Sequence, residues 1–167
     1  SQDSTASNKN AVSDAYIKFF RWAADRLQGR DGVVCYVSNN GFFNGIAFDG
    51  FRKHMLQDFT RIYHLDLAGN ARTSGEQRRK EGGNVFLDMI RVGVGITIAV
   101  RSSKHQDRKL FYHRVPDYWE ASNKLAYLEE MVEVKGRHNS LNTVEWKSLE
   151  PDDRNTWLVP DNADEYE

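Results

Sequence analysis

Two amides followed by two phenyl rings, in Ser38-Asn39-Asn40-Gly41-Phe42-Phe43, are the residues whose types and order best suit a chemical task. Amides present paired donors and acceptors, and phenyl rings present flat apolar faces. Together they fit a flat ligand with a polar edge, such as a nucleic-acid base. The run follows Gly32-Val33-Val34-Cys35-Tyr36-Val37, which reads as a strand buried on both faces, as a central parallel strand would be. Open α/β sheets bind ligands just past the carboxyl ends of such strands. A plain strand-to-helix turn, with Gly41 for a special backbone angle and the rings in the core, would use the same residues.

Two further clusters strengthen the binding alternative. Asp66-Leu67-Ala68-Gly69-Asn70 ends the next expected strand, and would open on the same sheet edge if the two strands are parallel neighbours. The stretch Arg72–Gly83 then carries Arg72, Arg78, Arg79 and Lys80 among small residues. Guanidinium groups match phosphate geometry and glycines permit close approach, so a phosphate-contacting loop competes here with a solvated charged loop. Like charges and glycines predict poor order for that loop without nucleic acid.

Other chemistries lack their residues. There is no Gly-x-Gly-x-x-Gly and no phosphate loop. The five histidines and one cysteine show no metal-ligand spacing. Ser38, His64 and Asp66 have the composition of a nucleophilic triad, but His64 and Asp66 sit two apart on one strand face, where cross-strand or solvent contacts are commoner. Cys35 reads as a small core hydrophobe, and a single cysteine excludes a disulfide framework.

The elements that must position these residues follow from periodicity. Tyr16, Phe19, Phe20, Ala23 and Leu27 recur at helical spacing after Ser13 and Asp14, and Gly29 stops the helix. A second helix is expected over Phe48–Asp58, with Phe51, Met55, Leu56 and Phe59 inward. Strands are expected at Gly32–Ser38, Thr60–Leu67, Val92–Val100 and Lys109–Val115. The first two should be parallel, joined by the second helix. The last two read as an antiparallel hairpin. A third helix fits Tyr118–Val134, with Leu125, Leu128, Met131 and Val132 inward, and Trp146 and Trp157 read as anchors for an irregular end. Residues 68–84 read as one long loop.

With 167 residues, 40% hydrophobic, the composition is that of one globular domain. Net charge −1 conceals a split: Glu150 to Glu167 holds seven acidic residues and one basic, leaving a body of net charge +5. A mildly basic body is compatible with nucleic acid. No apolar run reaches the roughly 18 residues of a membrane span and no signal peptide is visible, which predicts a soluble, cytoplasmic protein.

The order and spacing of several segments resemble the methyltransferase domain of single-chain Type ISP-like restriction–modification enzymes, often labelled helicases. The matching pieces begin at Asn8-Lys9-Asn10-Ala11 and Asp14-Ala15-Tyr16-Ile17-Lys18-Phe19-Phe20-Arg21-Trp22-Ala23. They continue through Gly32 to Gly45, Asp49-Gly50-Phe51-Arg52-Lys53, Ile62 to Asn70, Arg72-Thr73-Ser74-Gly75-Glu76 and Gly83-Asn84-Val85-Phe86, with Trp146, Pro151 and Trp157 beyond. The resemblance implies an α/β, partial Rossmann-like methyltransferase fold with parallel strands and a C-terminal antiparallel hairpin. It also implies that the intact enzyme transfers methyl from S-adenosylmethionine to the amino group of adenine in DNA. No Asn-Pro dipeptide is present, so the catalytic Asn-Pro-Pro-Tyr motif and the cofactor motif of that family are missing. The expectation is a C-terminal half-domain, inactive alone and holding no cofactor itself.

By the same resemblance Asn39, Asn40 and Phe42 line the target-base side of the pocket. Phe86 is the ring that stacks on an extruded base, against a plain alternative in which it is a core residue. Arg72, Arg78, Arg79 and Lys80 approach the DNA backbone. The expected partition is a flexible lead-in over 1–10, the half-domain over 11–135 and an irregular acidic extension over 136–167. The expected partners are DNA and the rest of a larger polypeptide, with no membrane, and the oligomeric state is open. A stand-alone α/β nucleic-acid-binding or protein-interaction module is the competing reading.

Overall fold

The computed structural model describes residues 13–133 and 140–158. The expected lead-in, residues 1–10, lies outside them. Among the described residues, five α-helices and five strands form a mixed α/β arrangement: α1 (Ala15–Leu27), β1 (Gly32–Asn39), α2 (Gly41–Asn44), α3 (Asp49–Asp58), β2 (Arg61–Asp66), α4 (Gly75–Glu81), β3 (Val94–Arg101), β4 (Lys109–Arg114), α5 (Ala121–Glu133) and β5 (Lys147–Leu149). Among the described residues no helix is long and apolar enough to cross a membrane.

The sheet order is β1-β3-β2-β4-β5. Strand β3 is antiparallel to both β1 and β2, so β1 and β2 run the same way, as expected, but with β3 between them. The expected hairpin is corrected. Strand β4 does not pair with β3; it lies parallel to β2, with Tyr63 opposite Phe111 and His64 opposite Tyr112. Register explains why. Antiparallel to both neighbours, the apolar β3 buries Thr97 and Ala99 beneath the helices and is paired along both edges, which the polar turn alone could not reveal. The stretch read as an irregular extension supplies β5, antiparallel to β4.

One core lies under α1, α2 and α3. Phe20, Phe42, Phe59 and Ile62 are almost completely buried there, joined by Trp157 from the C-terminal segment. Arg52, only 3% exposed, ties this layer together. Its guanidinium donates to the carbonyls of Phe42 (2.9 Å), Gly45 (2.7 Å) and Asn155 (2.6 Å). A second, smaller core forms on the opposite face from Leu65, Leu67 and Val115, with Tyr127, Leu128, Met131 and Trp146 packed against it. Both tryptophans therefore anchor as expected.

Three other expectations change. Strand β1 is an edge strand, and only Val34 on it is buried. Val33 (61% exposed), Cys35 and Val37 (55%) face outward, so Cys35 is not a core residue. A continuous apolar run cannot distinguish two buried faces from one buried and one open. Leu125 on α5 is exposed because the inward stripe runs through Lys124, Tyr127, Leu128 and Met131; the side chain of Val132 lies outside the described residues. The expected loop at residues 68–84 contains α4, so part of Arg72–Gly83 is helical rather than loop. Gly75-Glu-Gln-Arg-Arg-Lys-Glu81 is made largely of strong helix formers, with Glu76 in the first turn and three basic residues in the last, matching the helix dipole.

Candidate functional site

The carboxyl ends of β1, β2 and β4 and the amino end of β3 meet at one end of the sheet, and a buried polar network joins them. Asn40, just past β1, donates its amide hydrogens to Asp66 Oδ1 (2.5 Å) and to the Val94 carbonyl (3.0 Å). Both partners only accept, so the Asn40 oxygen must face His64 Nε2, 2.9 Å away. That fixes the histidine: Nε2 carries the proton and Nδ1 accepts from the Thr97 hydroxyl at 2.8 Å. His64 is completely buried, and desolvation pulls its pKa down to about 4 despite nearby Asp66. It stays neutral at pH 7. With both nitrogens committed to Asn40 and Thr97, and Ser38 Oγ directed to the Asn39 carbonyl, the triad reading is excluded. Gly95 is required beside this lock, because a Cβ there would collide with Asn40 Oδ1 and lie 2.6 Å from His64 Cε1.

Asp66 extends the network across the sheet. It accepts from the Ala68 N–H (2.7 Å) and the Tyr112 hydroxyl (2.7 Å), and pairs with Arg114 at 3.4 Å. Burial and the neighbouring Asp66 carboxylate hold the Tyr112 hydroxyl firmly protonated. Arg114 also reaches Glu81 at 3.2 Å, the last residue of α4. Glu81 in turn accepts from the Asn70 N–H at 2.9 Å, fixing the loop after β2. Lys124, fully buried on α5, donates to the carbonyls of Glu81 (2.8 Å) and Gly83 (2.7 Å). Burial lowers its pKa to about 8. Gly82 between them has φ +61° and lies against the Trp119 backbone, leaving no room for a side chain.

Outside this scaffold lies an open groove of about 1000 Å³, lined among others by Gly69, Arg78, Arg79, Asn84, Arg91 and Tyr118. Its geometry can hold an extended anionic ligand: guanidinium groups and glycine backbone line a concave surface at the strand ends. Among the described residues no cluster of three or more metal-ligating side chains occurs.

The sequence-predicted residues divide. Asn39 and Asn40 both stand at the site end. Asn39 accepts from the Gly41 N–H at 2.7 Å, shaping the turn, while the Asn40 amide is committed to the lock. Phe42 is wholly buried against Phe20, Phe51 and Trp157 and presents no surface to the groove. Phe86 is 39% exposed, so it is not a core residue. It stands beside Asn84, whose side chain bonds the Gly69 carbonyl after β2 and the Val92 carbonyl before β3. Arg78 and Arg79 line the groove; Arg78 also donates to the Gly82 carbonyl at 2.8 Å, and Arg79 pairs with Glu76. Arg72 is exposed in the turn before α4, and Lys80 is half-buried on it. Neither lines the groove.

Sequence reasoning missed Glu81, Asn84, Arg91, Arg114 and Lys124. Glu81 and Lys124 are charged residues in ordinary helix patterns, which give no sign of burial, whereas Asp66, at an abrupt strand end, carried a signal.

No family model matches the chain, and no curated protein sequence matches it significantly. Solved structures do. A DrdV–DNA complex superposes with TM-score 0.82 at 46% identity, covering 93% of this chain and 14% of that one. A nuclease-deletion mutant of the Type ISP restriction–modification enzyme LlaGI, in complex with a DNA substrate mimic, gives 0.84 at 30% identity, covering 94% and 14%. The ATP-dependent Type ISP enzyme LlaBIII bound to DNA gives 0.83 at 31%, covering 94% and 10%. The chain thus spans a seventh or less of these larger proteins. In sequence and in fold it is similar to one segment of Type ISP restriction–modification enzymes, and this homology supports its being a fragment of such an enzyme.

Proposed function

We propose that the chain is the C-terminal half of a Rossmann-like methyltransferase domain in a Type ISP-like restriction–modification enzyme. In the intact protein it would serve methyl transfer from S-adenosylmethionine to an adenine amino group in DNA. The observation that carries the reading is similarity along almost the whole chain, at 30–46% identity, to segments of larger DNA-bound enzymes. The convergence of strand ends beside an arginine-lined groove supports it, with Phe86 exposed between Asn84 and Leu87 of the groove lining.

The chain has no Gly-x-Gly-x-x-Gly and no Asn-Pro dipeptide. On this reading S-adenosylmethionine is held by the rest of the enzyme. The roles of this chain's residues are holding and orienting. The lock of Asn40, His64 and Asp66 fixes the loop on the target-base side, where Asn39 stands at the surface. An enzyme acting on a base must take it out of the stack. Phe86 offers the ring on which the extruded adenine rests, a contact worth roughly 1–3 kcal/mol. Arg78 and Arg79, with Arg72 and Lys80 nearby, hold the backbone.

The test is methylation of duplex DNA by the full-length enzyme. Phe86→Ala should leave the melting temperature nearly unchanged and lower methylation, and Phe86→Trp should keep much of the activity. Equal methylation by wild type and Phe86→Ala would refute the platform.

A further inference from the structure

Beside the groove, the chain exposes an apolar turn that none of the foregoing roles uses. Leu87 is 65% exposed and Met89 82%, in a single 3-10 turn over Leu87–Met89. Leu87 has φ +55°, a conformation that residues other than glycine rarely adopt. The turn is tied from below by hydrogen bonds. The Asn84 side chain, 7% exposed, donates to the Gly69 and Val92 carbonyls and accepts from the Phe86 N–H at 2.9 Å, while the Leu87 N–H donates to the Asn84 carbonyl at 2.9 Å.

An apolar tip on a clamped base is what a protein needs to enter a stack of bases. Proteins that distort duplexes insert leucine, isoleucine, methionine or phenylalanine between base steps, while cationic side chains hold the flanking phosphates. Here the cations are in place: Leu87 shares the groove wall with Arg78, Arg79 and Arg91, against the acidic Asp88 and Glu120. A protein partner would have to bury those guanidinium groups, whereas a duplex meets them with phosphates.

We infer that Leu87 and Met89 form an apolar wedge that enters the stack of a DNA duplex held against the arginines of this groove. The inference rests on the DNA binding proposed above but not on methyl transfer. The probe is a duplex carrying 2-aminopurine one position away from the target adenine, titrated with full-length enzyme without cofactor. Wild type should raise the fluorescence strongly as the probe loses its neighbour. The Leu87→Ser, Met89→Ser double variant should lose most of that rise while its affinity and salt dependence stay close to wild type. Leu87→Gly relieves the unusual backbone angle, so it should melt no lower than wild type and yet lose part of the rise. That variant carries the test if the double variant folds poorly. An unchanged rise in Leu87→Gly or in a folded double variant overturns the wedge and leaves DNA binding standing. Absence of salt-dependent duplex binding by wild type overturns both.

Discussion

Acid should dismantle the site from its centre, through His64. The imidazole is completely buried and its pKa is lowered from 6.5 to about 4. The unfolded chain therefore binds a proton near pH 6.5 that the native protein refuses until about pH 4. The stabilising contribution of neutral His64 is present above the unfolded value and is lost as pH falls through the folded one. A difference of about 2.5 units at 1.36 kcal/mol each gives about 3 kcal/mol lost between pH 7 and pH 4. That is a large share of a domain's typical stability. His64→Gln removes the titration while keeping an amide able to donate to Asn40 Oδ1 and accept from Thr97. Urea unfolding of the full-length enzyme, followed for the transition of this domain from pH 4 to pH 7, is the assay. Wild type should lose about 3 kcal/mol more than His64→Gln across that range. Parallel pH profiles would show that His64 is not buried neutral, and the derived arrangement of the Asn40 amide would fall with it.

Four other outcomes follow. Phe42→Ala should cost about 3–5 kcal/mol, as for a fully buried ring, and Phe86→Ala under about 1 kcal/mol, both read from urea midpoints. Gly95→Ala should destabilise by at least about 1–3 kcal/mol, because its methyl group displaces Asn40 or His64, and a neutral result would contradict the packing described. Alanine at Arg78, Arg79 and Lys80 should weaken binding to all duplexes and flatten the salt slope by up to about 2.7, since each phosphate contact contributes about 0.9; an unchanged slope would return α4 to a solvated surface helix. The chain alone should show no binding of S-adenosylmethionine by calorimetry, and micromolar binding would place cofactor residues within it.

How far the residues could be read ahead depended on what kind of signal each carried. Helix α1 and strands β1 to β4 were legible because periodicity is local: Tyr16, Phe20, Ala23 and Leu27 recur at helical spacing, and Ile62, His64 and Asp66 alternate with Tyr63 and Leu65, although Ile17, a buried residue of that helix, was not singled out. Pairing was not legible. That β3 lies between β1 and β2 depends on edges contacted across more than thirty residues of chain, as in Leu65 opposite Ile96. The Asn40 and Asp66 loops were expected to meet if β1 and β2 were neighbours; they meet through a 2.5 Å bond although β3 lies between the two strands. The buried charges were hidden for a physical reason. Lys124 and Glu81 sit in helices whose sequence reads as exposed, and they are buried only because backbone carbonyls and Arg114 satisfy them there. Phe86 was readable as either core or platform, and its exposure excludes the core.

The most direct test of the account is the structure of the full-length enzyme bound to duplex DNA containing its target adenine. Backbone phosphates should lie against Arg78, Arg79 and Arg91 in the groove, with an extruded adenine on the Phe86 ring. DNA lying elsewhere, with that groove filled by protein, would contradict it.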